Sequence, residues 1–254
     1  MSILSLLIVL FAGLVAGFIN AIAGSGSLLT LPALMFGGLD SAVANATNRL
    51  GIFVQSIFSL TGYISKGLKP ERSALYGVIP VIVGAALGAY LTRFVDRGIF
   101  RYIIDAVMLA MLALIFFKPR SWLKQYSAPT PLRNIPLVVV LMFVTGIYAG
   151  FLQVGSGYVM MAIMVLVGGM DIYRANTVKV VAQLANAATV IPIYIALDMI
   201  DWHLGLVLAL GSGVGGWLGA RFALRIGPKV VRYVLLIGVV LYIGKEITTQ
   251  LIAP

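Results

Sequence analysis

The chain has no cysteine, one histidine and only 8 acidic residues among 254. Without cysteine there is no thiolate nucleophile, no disulfide framework and no iron–sulfur cluster. His203 and the few carboxylates do not make a donor set for zinc or a metal pair, so neither a metal nor another cofactor is expected. Charged residues are also scarce, at 10% of the chain against about 25% in average soluble domains. That excludes an ordinary soluble enzyme and a disordered tail. No G-x-x-x-x-G-K-[ST] motif occurs, which argues against ATP-driven transport by this chain. The first apolar run lacks a basic leader. Although Ala21-Ile22-Ala23 resembles a cleavage site, the run has a counterpart later in the chain and reads as a retained helix.

What is present is apolar. Hydrophobic residues make up 61% of the chain and the mean hydropathy is +1.06. Several runs reach the roughly 20 residues that a helix needs to cross a hydrocarbon core about 30 Å thick. The expected fold is an all-α polytopic protein of the cytoplasmic membrane, with the lipid bilayer as its main partner. The net charge of +10 sits in short loops: Lys66/Lys69/Arg72, Lys118/Arg120/Lys124/Arg133 and Arg221/Arg225/Lys229/Arg232. Basic loops between apolar runs set membrane orientation, a better account than nucleic-acid binding.

Comparing the chain with itself reveals two related halves. Gly13, Ala16, Gly17 and Phe18 match Gly146, Ala149, Gly150 and Phe151. Gly24-Ser25-Gly26 matches Gly155-Ser156-Gly157, an offset of about 131 residues. Gly37-Gly38 and Asp40 meet Gly168-Gly169 and Asp171, and Ala44-Asn45 meets Ala175-Asn176. After a one-residue slip, Thr47 and Arg49 meet Thr177 and Lys179. Further on, Gly84, Gly88, Ala89, Arg101 and Tyr102 meet Gly215, Gly219, Ala220, Arg232 and Tyr233. The expected organisation is a first transmembrane repeat over 1–117, a basic cytoplasmic linker over 118–134 with three prolines, and a second repeat over 135–254.

Each repeat reads as five segments. A long helix (2–22, 135–153) leads to the Gly-Ser-Gly turn, and a short segment (27–38, 158–169) follows, ending in Gly-Gly-x-Asp. Three long helices complete each half, at 41–65, 73–93 and 99–117, and at 172–198, 204–222 and 229–248. A short helix rises only about 18 Å. It crosses the membrane with extended residues around the glycines, as a broken helix, or it re-enters from one side. If it crosses, the halves are inverted and most basic residues fall inside, with Arg93, Arg97 and Arg101 as the cost on the outer face. If it re-enters, the basic residues divide evenly. The positive-inside bias favours inverted repeats.

Charges within spans are costly and mark function by default. Arg49 and Lys179 hold matched positions without a matched carboxylate, which suggests a small anionic guest. Asn45, Thr47, Asn48, Asn176 and Thr177 place amides and hydroxyls at the starts of their helices. There they can cap the helix or, with its free N–H groups, hold an anion. Gln55, Gln183 and Asn186 extend a polar stripe along the same helices. Gly24, Ser25, Gly26, Gly155, Ser156 and Gly157 can offer backbone donors, with Asn20 and Gln153 just before the turns. Asp105 is better read as the partner of Arg101 one turn earlier. Gly84/Gly88 and Gly215/Gly219 read as tight helix crossings or a dimer seam, so a homodimer is compatible with the sequence.

The run Gly17-Phe18-Ile19-Asn20-Ala21-Ile22-Ala23-Gly24-Ser25-Gly26, Pro32, and Ala44-Asn45-Ala46-Thr47-Asn48-Arg49, echoed in the second half, resemble the TauE/SafE family over nearly the whole chain. The resemblance implies secondary transport, and not enzymatic turnover, of sulfite, sulfonates or related small anions, with export the expected direction. The second half departs from the pattern, with Ala-Asn-Thr-Val one residue short and Lys179 in place of arginine. Alternating access between the repeats would carry the cargo across. The other reading is a cation-coupled carrier of another small organic anion or a neutral solute, for which Asp105 is the one carboxylate candidate.

Overall fold

The structure, a computed structural model, describes residues 2–70, 75–116 and 132–222. Among these residues there are nine α-helices, a 3-10 turn at Thr92–Phe94 and no strand. A backbone surrounded by lipid must satisfy its hydrogen bonds within itself, so an apolar chain of this kind becomes helical. The helices are α1 (Ile3–Ala23), α2 (Ser27–Phe36), α3 (Ser41–Ile64), α4 (Leu75–Leu91), α5 (Arg97–Phe116), α6 (Ile135–Phe151), α7 (Ser156–Leu166), α8 (Ile172–Ala196) and α9 (Trp202–Phe222). Four stretches are long and apolar enough to cross a membrane: α1, Leu75–Phe94, α8 and α9. The expected linker lies mostly outside the described residues, and the last expected helix, with Arg232 and Tyr233, wholly outside them.

The ends of these helices follow from local chemistry. Asp40 accepts from the N–H groups of Ala42 and Val43 at 2.9 and 3.2 Å and starts α3. Asp171 does the same for α8, from Tyr173 and Arg174 at 3.0 and 3.1 Å. Each aspartate closes a Gly-Gly-x-Asp turn whose second glycine, Gly38 or Gly169, has positive φ. Gly24 and Gly155 are likewise left-handed, at φ 74° and 66°, a conformation that glycine adopts without penalty. In the first half Gly24 ends α1 and α2 begins at Ser27. In the second half Leu152 leaves α6 extended, and α7 already begins at Ser156. Ser156 and Gly157 are therefore helical, two residues earlier than the expected start at 158.

Packing crosses the halves. α1 lies against α9, and its repeat counterpart α6 lies against α4; α3 packs on α9 as α8 packs on α4; and α3 meets α8 at the centre. The contacts sort the helices into two groups, α1–α2–α3–α9 and α4–α6–α7–α8, so each repeat contributes its fourth helix to the other's group. Glycine makes the crossings close. A Cβ on Gly84 or Gly88 would fall on the backbone carbonyls of Phe143 and Ile147 in α6, and one on Gly215 or Gly219 on those of Leu14 and Phe18 in α1. These small-residue motifs serve contacts within the chain.

Candidate functional site

The two matched cations are fully buried, and both lie against the ends of helices from the opposite half. Arg49, on α3, donates through Nη1 to the carbonyl oxygen of Ala149 at 2.5 Å and to the side chains of Gln153 and Asn186, and through Nη2 to the Gly150 carbonyl at 3.0 Å. Lys179, on α8, donates through Nζ to the carbonyls of Asn20 at 2.6 Å and Ala21 at 3.2 Å. These are the last turns of α6 and α1. A helix end leaves four carbonyls without intrahelical partners, and in a membrane interior no water supplies them. The negative end of the helix dipole adds to the attraction for a cation.

The same end-capping explains the conserved spacing within the repeat. Asn45 and Asn176 sit one turn inside their helices, where Asp40 and Asp171 already hold the start. Neither asparagine caps its own N-terminus, contrary to the capping role expected from the sequence, because Asp40 and Asp171 already fill it. Asn45 instead donates to the Phe151 carbonyl at 3.0 Å, and Asn176 to the Ala21 carbonyl at 2.8 Å. Two tyrosines complete the clamps. Tyr194 Oη donates to Gly150 O at 2.7 Å, and Tyr63 Oη to Ala21 O at 2.6 Å. Both are buried, and they match each other at the repeat offset. They were not among the sequence candidates, although their shared position in the repeat is a signal. The Tyr194 ring also lies beneath the Arg49 guanidinium, 5.5 Å from it.

The remaining candidates divide by place. Asn20, Asn48 and Gln55 line a small hollow inside the α1–α2–α3–α9 group, with Ala16, Gly17, Gly26, Thr30, Ile52 and Ser212. It has room for about one water. Thr30 Oγ1 donates to Asn48 Oδ1 at 2.7 Å, Asn20 Nδ2 to Gln55 Oε1, and Gln55 Nε2 to Ser59 Oγ at 2.8 Å. Asn20 Nδ2 also points to Gln183 Oε1 of α8 at 3.4 Å. Thr30 and Ser212 were absent from the sequence candidates because nothing polar matches them in the other half. Gln153, Ser156 and Asn186 gather instead around Arg49. Thr47 accepts from the Asp201 N–H and so ties α3 to the start of α9, and Thr177 donates to the Arg174 carbonyl within its own helix. The two Gly-Ser-Gly turns touch, since Tyr158 N–H donates to Gly24 O at 3.1 Å, while Ser25 Oγ is buried without a partner.

Outside this centre, Arg101 and Asp105 are half-buried on α5 and His203 is exposed at the start of α9. No cluster of histidine or carboxylates among the described residues suits a metal.

Residues 9–245 match the family described as "Sulfite exporter TauE/SafE". The chain belongs to this family. The TauE/SafE match spans both repeats and both clamps. Among its relatives, the "Probable membrane transporter protein" of Haemophilus influenzae is 28% identical over 92% of this chain and 91% of its own length. "Probable membrane transporter protein YfcA" of Escherichia coli K12 is 28% identical over 91% of this chain and 85% of its own. "Probable membrane transporter protein YdhB" of Bacillus subtilis is 24% identical over 90% and 92%. No solved structure matches. The protein is a multi-pass membrane transporter of the TauE/SafE family.

Proposed function

We propose that the protein is a secondary transporter that exports a small sulfur-containing anion, sulfite or a sulfonate, across the cytoplasmic membrane. The observation that carries this reading is the pair of buried cations whose hydrogen-bond partners among the described residues are neutral oxygens. An unpaired buried charge is expensive, and it projects a field that an anion relieves and a cation does not. The family description supplies the sulfur chemistry.

Alternating access then takes a particular form. The exchanged packing makes the α1–α2–α3–α9 and α4–α6–α7–α8 groups the natural moving bodies, in place of the sequence halves. They meet along α3 and α8, which carry Arg49 and Lys179. Inversion of the repeats is supported by the charge distribution and by the mirrored pairings across the halves.

Thermal stabilisation of the purified protein with sulfite, sulfoacetate, thiosulfate, sulfate, acetate and chloride tests the reading, followed by efflux from proteoliposomes loaded with whichever anion stabilises. Binding to the native state raises apparent stability by about 2.7 kcal/mol at a hundredfold excess over Kd. Sulfite or one sulfonate is expected to stabilise and to leave the vesicles. Equal responses to all six anions would sink the proposed cargo.

A further inference from the structure

The two groups are alike in packing and unlike in polarity. At the repeat offset, the hollow's Thr30, Asn48, Gln55 and Ser212 correspond to Met161, Val178, Ala185 and Val81. Met161, Val178 and Val81 belong to a buried apolar cluster with Met142, Met160 and Met164. Asn20 has a polar counterpart in Gln153, which bonds Arg49, but at the other four positions one group places buried hydrogen-bonding side chains around a small space where the other is filled by methionine, valine and alanine.

The two cations differ in the same sense. Arg49 spends its terminal nitrogens on two carbonyls and two side-chain oxygens at the end of α6. Lys179 holds only the end of α1, through the carbonyl of Asn20, whose side chain lines the hollow. Among the described residues no carboxylate lines that space, and the formal charge bonded to its wall, Lys179, is positive.

We propose that the anion is recognised inside the α1–α2–α3–α9 group alone, by Asn20, Thr30, Asn48, Gln55 and Ser212, with Lys179 as the charge behind them and Arg49 as a fixed clamp on α6. This rests on the anion-transport reading above and narrows it from a site shared by both repeats to one repeat's hollow. The occupant is a small oxyanion held by neutral donors. The hollow as it stands has room for about one water, so the oxyanion enters by parting the Thr30–Asn48 and Asn20–Gln55 contacts and widening the space, and amide N–H and hydroxyl groups now serving one another turn to its oxygens. Charge-assisted hydrogen bonds of this kind are the stronger ones. The two groups thus divide the work: one holds the cargo, and the other, packed with methionine, is the body it moves against.

Sulfite titration of the purified full chain by calorimetry is the test, with Thr30→Val and Gln55→Met in the hollow and Met161→Leu and Val178→Ile at the mirror positions. Thr30→Val, Gln55→Met and Met161→Leu keep size closely, Val178→Ile adds one methylene to a buried side chain, and melting and elution profiles establish that each variant folds. The hollow variants should each weaken sulfite binding about tenfold or more, the usual effect of losing a hydrogen bond to a charged group, and the mirror variants should bind as wild type does. Hollow variants that fold and bind sulfite normally would overturn the assignment while leaving the transport reading intact. Equal losses at hollow and mirror positions would return the site to the interface between the groups. Stabilisation that follows sodium in place of the anion, seen by exchanging sodium for choline, would make the hollow a cation site and overturn the proposal. Wild type that binds no sulfur oxyanion would fail the transport reading itself, a result the wild-type titration gives alone.

Discussion

The α1–α2–α3–α9 group and the α4–α6–α7–α8 group are built from matched helices and share a scaffold, yet their interiors differ. The features they share are those that hold helices together: glycine crossings, aspartate caps, and clamps of asparagine, cation and tyrosine on a helix end. What differs is the space those helices enclose. Architecture has been kept twice, and the polar lining once. A buried polar group costs stability unless it is bonded, so keeping four of them on one side, at positions where the other side is apolar, needs a use that the other side does not have.

The largest test of this contrast addresses what is shared. Gly88→Val and Gly215→Val place a side chain on the carbonyl of Ile147 in α6 or of Leu14 in α1. Backbone cannot yield as a flexible side chain would, so each is expected to cost more than about 3 kcal/mol and to remove most folded protein. Yield of monodisperse protein in detergent is the readout, and the two losses should be alike. A fold that survived one and not the other would show the crossings to be unequal, contrary to the shared scaffold.

Next in size is a pair that should come apart. Arg49→Met leaves Ala149 O and Gln153 Oε1 without their donor, an expected loss of about 3 kcal/mol in stability. Lys179→Met orphans neither acceptor, because Asn20 O keeps the Gly24 N–H at 2.9 Å and Ala21 O keeps Tyr63 and Asn176, and should cost about 1–2 kcal/mol. Sulfite affinity should rank the other way, with Lys179→Met the greater loss. Chemical unfolding and calorimetry on the same two variants read both quantities. The same ranking in stability and in affinity would mean that the cations are equivalent and that recognition lies on the axis between them.

Much of the scaffold was legible in the sequence because its chemistry is local or repeated. Apolar runs set the helices, Gly-Gly-x-Asp announced the starts of α3 and α8, and paired glycines announced the crossings. The exchange of α4 and α9 was not legible, since two apolar helices with the same glycine spacing give no preference of partner. The cations were found by their match, but their partners were not, because backbone carbonyls leave no mark in a sequence. Thr30 and Ser212 were missed for the opposite reason. Looking for residues that repeat selects the shared scaffold and discards what one half alone retains, and the polar hollow lies in that remainder.

The smallest effects come from the tyrosines, where the clamps are redundant. Tyr63→Phe removes a donor from Ala21 O, which still accepts from Asn176 and Lys179, and Tyr194→Phe removes one from Gly150 O, which keeps Arg49. Each should cost about 1 kcal/mol of stability, with the ring and its packing retained. Their effects on binding should nonetheless differ. Tyr63 helps hold the end of α1 at Ala21, one residue after Asn20 in the hollow's wall, whereas Tyr194 and the α6 end it caps face Arg49. Sulfite affinity should therefore shift in Tyr63→Phe and stay at the wild-type value in Tyr194→Phe. Equal shifts would show that loosening either helix end disturbs the site, and would place the anion between the two groups.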